Sequence, residues 1–355
     1  MEAAKTENKD GLAGIKNRWK KFIEEENSSA AKTNRHGMKI LYEKELSDHL
    51  NSIRFRILFL LLAVIMFIAL YGAIGTISSA AQSTDAKTAA AATSEFIFLK
   101  LFTTSGSNIY SFSTFIAFLG PLVGIMLGFD AINEEMAQGT LNRLAAQPIY
   151  RDTIINAKFL AGATAVAIMI FSIGGIAAGF SMVVTGLIPT GEQVARLVIY
   201  LLLATVYICL WLAWAEFFSV VCRHAATAAL ACVAIWLVLT LFQSLIASGI
   251  ASLVYPLTGA NAQMNMLNNY QTQMAWNRVS PYYLFSEITS ILMNPNVHST
   301  NVISIMESQE GAVASYLTLG QSMLQIVPHI ITMIAAAAVG FAAAYISFMR
   351  KEIRA

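Results

Sequence analysis

Long apolar runs alternate with polar stretches along the 355-residue chain, and six of the runs are long enough to form membrane-crossing helices. They fall at about 57–77, 109–130, 159–186, 197–221, 225–248 and 326–349. At ~1.5 Å of rise per residue, each covers the ~30 Å of bilayer hydrocarbon. Helices are expected there because hydrocarbon offers no water to satisfy free backbone groups. The third run exceeds the length required, which predicts tilt or continuation beyond the membrane. Gly120-Pro121 interrupts the second run, so it either kinks or splits into a shallow re-entrant pair.

Composition closes off the soluble alternative. Apolar residues make up 56% of the chain and charged residues 12%, the latter about half the ~25% of an ordinary globular domain. Mean hydropathy is +0.60. A net charge of +2 conceals an asymmetry, since residues 1–56 hold twelve of the 23 Lys and Arg. These bases form no stripe along a folded face, so nucleic acid is not an expected partner. Alternating the loops puts nineteen bases on the side of the N-terminus and leaves Lys87, Lys100, Arg196 and Arg278 on the other. The positive-inside rule then predicts a multi-pass protein of the cell membrane with both termini cytoplasmic.

Residues 1–56 divide into an amphipathic stretch at 12–26, a polar linker at 27–37 and a helical segment from 38 to 54 that runs into the first span. Leu12, Ile15, Trp19, Phe22 and Ile23 recur at near-helical spacing, which suits a helix lying either on the inner membrane surface or on a partner. No cleavable signal peptide is expected, because the first apolar run follows a long charged segment. The membrane domain extends over 57–350, with a cytoplasmic tail at 351–355. Its largest outer segment is 249–325, where 281–293 is apolar enough to form a short helix dipping into the outer interface. The first three spans do not echo the last three, so an inverted-repeat secondary transporter gains no support.

Several chemistries are missing. None of the 21 glycines is followed by lysine, so the phosphate cradle of a nucleotide hydrolase is absent. The five histidines are scattered without metal-ligand spacing, and Cys209, Cys222 and Cys232 read as small side chains buried in the membrane. No catalytic residue, metal or directly bound cofactor is expected. Of the acids nearest the hydrocarbon, Glu216 precedes Arg223 by seven residues, about 10 Å along a helix. It is a candidate to line a cavity, against the plainer reading of a hydrated structural acid; Asp130 needs no special role. Small-residue runs at Gly120, Gly124 and Gly128, at Gly175 and Gly179, and at Ala336, Gly340 and Ala344 predict close helix packing within the chain or between subunits.

The inner loop at 131–158 is too patterned for a plain turn. Thr140 after Gly139 suits a helix N-cap, with Leu141 and Leu144 on one face and Arg143 on another, and Pro148 ends the segment. A short amphipathic helix fixed between two rigid spans makes a lever, although a loop touching only lipid has the same pattern.

Here the sequence resembles the permeases of type-2 ATP-binding-cassette exporters. Their pattern of Glu-x-x-x-Gly-Thr-Leu, Leu, x-Pro-x-x-Arg and Lys-Phe is matched at Glu135, Gly139, Thr140, Leu141, Leu144, Pro148, Arg151, Lys158 and Phe159, with Tyr150 where a small hydroxyl residue is usual. Residues 44–55 resemble the family's elbow, and Ser280-Pro281-Tyr282-Tyr283-Leu284 through Asn294-Pro295 resembles its outer segment before the last span. The group containing nitrous-oxide-reductase-maturation and gliding-associated permeases is the most similar in flavour. The resemblance implies an all-α integral membrane fold with elbow and interfacial helices, a cytoplasmic coupling helix and a helical outer segment. It implies two permeases, identical or homologous, and two cytoplasmic ATPases that carry the ATP and Mg. The docking face implied comprises Glu134, Glu135, Gly139, Thr140, Leu141, Arg143, Leu144, Pro148 and Arg151.

The leading expectation is therefore an export permease driven by a separate ATPase. The alternative is a scaffold that hands cargo to an outer protein without moving solute. Met264, Met266, Met274, Met293 and Met306 give that alternative a copper-handling variant.

Overall fold

A computed structural model describes residues 37–82, 96–106, 109–140, 150–259, 262–295 and 317–351. Everything described is helix or connection, with no strand among the described residues. Helix α1 (37–51) ends at Ser52, whose extended backbone lets its hydroxyl accept from Phe55 N as the N-cap of α2 (Ile53–Ala81). The chain therefore bends between elbow and first span with its backbone groups satisfied. Then follow α3 (Ile97–Thr103), α4 (Phe112–Gly128), the short α5 (Asn133–Ala137), α6 (Arg151–Thr185) and α7 (Gly191–Val221). The remainder is α8 (Ala225–Val254), α9 (Ala262–Asn277), α10 (Pro281–Met293) and α11 (Leu319–Arg350).

Six helices are long and apolar enough to cross a membrane: α2, the stretch Phe112–Ala137, α6, α7, α8 and α11. The sequence placed all six, and the helices outrun their apolar cores. α6 begins eight residues before the 159 read from hydropathy alone, at Arg151. Capping sets several ends. Thr190 and Gln193 exchange side-chain and backbone bonds at the start of α7, as Thr318 and Gln321 do at the start of α11. The amphipathic stretch at 12–26 and the tail beyond 351 lie outside the described residues.

The second span neither splits nor becomes re-entrant: α4 passes unbroken through Pro121. Proline removes the bond that the carbonyl four residues earlier would receive. That carbonyl belongs to Ala117, and it accepts the buried Tyr207 hydroxyl of α7 at 2.8 Å. A neighbouring helix thus supplies the donor that Pro121 lacks.

α7 is the central helix, packed against α4, α6, α8, α10 and α11. The glycine run of the second span makes this possible. A Cβ on Gly124 would stand 2.5 Å from the Ile208 carbonyl oxygen, and one on Gly128 would stand 2.9 Å from the Leu212 oxygen. These glycines, with Gly340 against Trp214, serve packing within the chain, while Gly175 and Gly179 face open space.

α10 is packed into the bundle. Leu284, Phe285, Ile288, Ile291 and Leu292 are buried, and Phe285 stacks on Tyr207 with ring centres 4.5 Å apart. At the same end, the fully buried Arg196 of α7 bonds Glu192, the Leu292 and Leu317 carbonyls and Ser322. One guanidinium so ties α7, α10 and α11 together. α8 contains a π-helical turn at Val238–Phe242, and Ser280 donates to the Leu239 carbonyl within it at 2.5 Å. Met274 and Met293 are buried while Met264 and Met266 are exposed, so these four methionines do not share one environment; Met306 lies outside the described residues.

Candidate functional site

The elbow helix, the loop after α4 and the first turns of α6 converge at one end of the bundle. Lys158 of α6 is 5% exposed, and its ammonium reaches Glu45 of α1 at 2.9 Å and Glu135 of α5 at 2.8 Å. Three separate helices, α1, α5 and α6, therefore share one charge. Burial alone would push the Glu45 carboxyl up, but Lys158 and then Lys44 outweigh it and hold the group below its ordinary value. Burial also holds the His49 imidazole below its ordinary value.

Other contacts fasten the same region. The Tyr42 hydroxyl donates to Thr164 at 3.0 Å, a second tie from elbow to α6. Ser219 of α7 accepts from the backbone N–H groups of Ile132 and Asn133, at 3.0 and 3.2 Å. Those are amides that the start of a helix leaves without an internal partner, so one hydroxyl seats α5 on the central helix. Arg54 of α2 pairs with Asp130 just after α4. Arg151 donates to the Phe348 and Lys351 carbonyls at 3.4 and 2.8 Å and lies over the Phe348 ring. This caps the end of α11 with a cation where exposed carbonyls favour one.

Of the residues singled out in sequence, Glu134, Glu135, Gly139, Thr140 and Arg151 are described, while Leu141, Arg143, Leu144 and Pro148 lie outside the described residues. Glu134 accepts from the Gln138 side chain, and Glu135 turns inward to Lys158. Gly139 has φ +69°, the left-handed region that glycine enters without strain. The Thr140 hydroxyl donates back to the Glu135 carbonyl at 3.2 Å; the amides it would cap lie outside the described residues. Arg151 faces α11. Ser219 and Tyr42 are not among the residues the sequence singles out, and Asp130, read there as needing no special role, pairs with Arg54. Only their long-range contacts reveal them, and no local pattern marks them.

Glu216 lines a cavity of about 680 Å³ at this end, together with Glu45, Asp130, Glu134, Glu135 and Lys158. Glu216 is 2% exposed, and its Oε2 has no hydrogen-bond partner among the described residues. No cluster of three or more His, Cys, Asp or Glu suited to a metal ion occurs among the described residues.

Six helices able to span a membrane, an elbow pinned to a loop and a helical segment between the last two spans together describe a membrane transport subunit. The family model for ABC-2 family transporter protein matches residues 39–353, and the chain belongs to this family. It is a membrane permease subunit, of a class that associates with an ATPase subunit and a partner permease. No curated protein matches the chain.

Proposed function

We propose that this permease is driven by a separate cytoplasmic ATPase acting on the 131–158 loop, and that it works as an exporter of the cell membrane. One observation carries the reading: Lys158 joins that loop to the elbow and to α6 at a single buried charge. Ser219 adds α7 to the same junction. A push on 134–147 therefore reaches α1, α6 and α7 together instead of bending a loose loop.

In this reading the functional unit is two permeases, identical or homologous, with two ATPases that hold ATP and Mg. Both termini face the cytoplasm. Glu134, Gly139, Thr140, Leu141, Arg143, Leu144 and Pro148 present the docking face, while Glu135 and Arg151 transmit force inward. The chain itself has no catalytic role and holds no cofactor. The likeness of its inner loop supports reading it as similar in flavour to the nitrous-oxide-reductase-maturation and gliding-associated permeases.

Purification in mild detergent should recover an ATPase chain. Hydrolysis by the complex should then fall severalfold in Leu141→Ala, on the docking face, and in Glu135→Ala, at the link. Isolation as a lone monomer, or hydrolysis indifferent to both changes, overturns the reading.

A further inference from the structure

The cavity beside the Lys158 junction has a charge imbalance that its internal pairing leaves in place. Six carboxylates line it (Glu45, Asp48, Asp130, Glu134, Glu135 and Glu216) against three bases, Lys44, Arg54 and Lys158. Each base is already engaged: Lys158 with Glu45 and Glu135, Arg54 with Asp130, Lys44 with Glu45 and Asp48. His49, the remaining titratable group in the lining, is held toward its neutral form by burial. Glu216 is left as a deeply buried acid with an oxygen that no described donor reaches. Burying a carboxylate without a partner is costly, so it binds either a proton or a cation from outside.

The shape of the cavity separates these occupants. At about 680 Å³ it is far larger than a proton or a bare ion requires, and it falls within the ~300–1,000 Å³ of small-molecule sites. Part of its wall is apolar, built from Ile53, Met126 and Leu127. The described acids do not converge as a metal site would. A lining with an excess of acids and an apolar share matches a molecule with one cationic end and an apolar body.

We infer that this cavity binds a small organic cation, with the ammonium or guanidinium end against Glu216 and the apolar part against Met126 and Leu127. The site goes beyond the proposed coupling: Glu134, Glu135 and Thr140 of the docking loop also line the cavity, but Glu216 and Met126, which make the inferred contacts, lie outside that loop.

The test uses the full chain with its co-purified ATPase in phosphatidylcholine nanodiscs, whose neutral lipid does not itself attract cations. Ethidium serves as the fluorescent cation, anilinonaphthalene sulfonate as an anion of similar size, and the signal of empty nanodiscs is subtracted. Saturable ethidium binding is expected, at least tenfold weaker in Glu216→Gln and partly kept in Glu216→Asp, with no saturable binding of the anion. Met126→Trp fills the apolar side and should weaken ethidium as strongly with Glu216 intact, so it decides the matter if Glu216→Gln does not fold. Undiminished binding in whichever variants fold, or no saturable ethidium binding at all, overturns the inference and leaves Glu216 as a protonated structural acid. Loop-dependent ATP hydrolysis without ethidium binding would sink this site and spare the coupling. Ethidium binding in a complex whose hydrolysis ignores the loop would do the reverse.

Discussion

Lys158 and Glu135 meet at 2.8 Å in a place where neither has much water, with the Lys158 side chain 6% and the Glu135 side chain 15% exposed. Glu45 holds the other side of the same ammonium. Removing the cation leaves two acids facing each other, whereas removing one acid leaves a pair. Lys158→Met is therefore expected to cost about 3–5 kcal/mol, and Glu135→Gln distinctly less. Thermal melting of the purified complex checks the order; equal losses would mean that the three groups do not act as one junction.

The same junction gives stability a pH dependence. Glu45 has a native value below its ordinary 4.5, so the unfolded chain binds the proton more readily than the folded one. Its contribution is fully present above about 4.5, declines as pH falls below it, and is gone once pH has dropped through the lowered native value. Wild type and Glu45→Gln should accordingly differ most in melting temperature near neutrality and converge in acid. A difference that grows on acidification would reverse the assignment.

Tyr207 and Pro121 offer a cleaner energetic test. Tyr207→Phe strips the Ala117 carbonyl of its donor, at about 1–3 kcal/mol for a buried unsatisfied group. Pro121→Ala restores a backbone N–H to that carbonyl, so Tyr207→Phe should cost much less in its presence. A double-mutant cycle read by melting temperature should therefore be non-additive, and additivity would mean that the hydroxyl does not replace the lost bond.

The glycines divide by what faces them. Gly124→Val drives its side chain into the Ile208 carbonyl and should abolish monodisperse yield. A Cβ on Gly175 meets nothing within 4 Å in this chain, so Gly175→Val should leave yield unchanged. Gel filtration of the two variants separates them, and a loss at Gly175 would place that face against another subunit.

Much of this architecture was readable from the chain. The spans were legible because hydrocarbon demands uninterrupted apolar length, and α10 because 281–293 is apolar enough for a short helix; its cap at Ser280 shows only in the structure. Lys158, Glu45 and Glu135 all stood within segments singled out by resemblance, yet no spacing rule shows that they touch. Pairings such as Ser219 with Ile132 join residues on different helices and leave no local trace. Pro121 misleads for the same reason: its remedy, Tyr207, lies on another span. The small-residue runs predicted close approach without saying to what, and the structure assigns Gly124 to α7 and leaves Gly175 open.

The wide turn at Val238–Phe242 has a mechanical corollary. Five-residue spacing holds one surplus residue inside α8, and Ser280 keeps the Leu239 carbonyl occupied while it does so. Were that hydroxyl withdrawn and the coil to tighten, everything from Gln243 onward would swivel by about 100° relative to the half before it. The contact of Ser280, just before α10, thus bears on the register of the second half of the fifth span, and a change in that one hydrogen bond would alter which side chains that half shows to its neighbours.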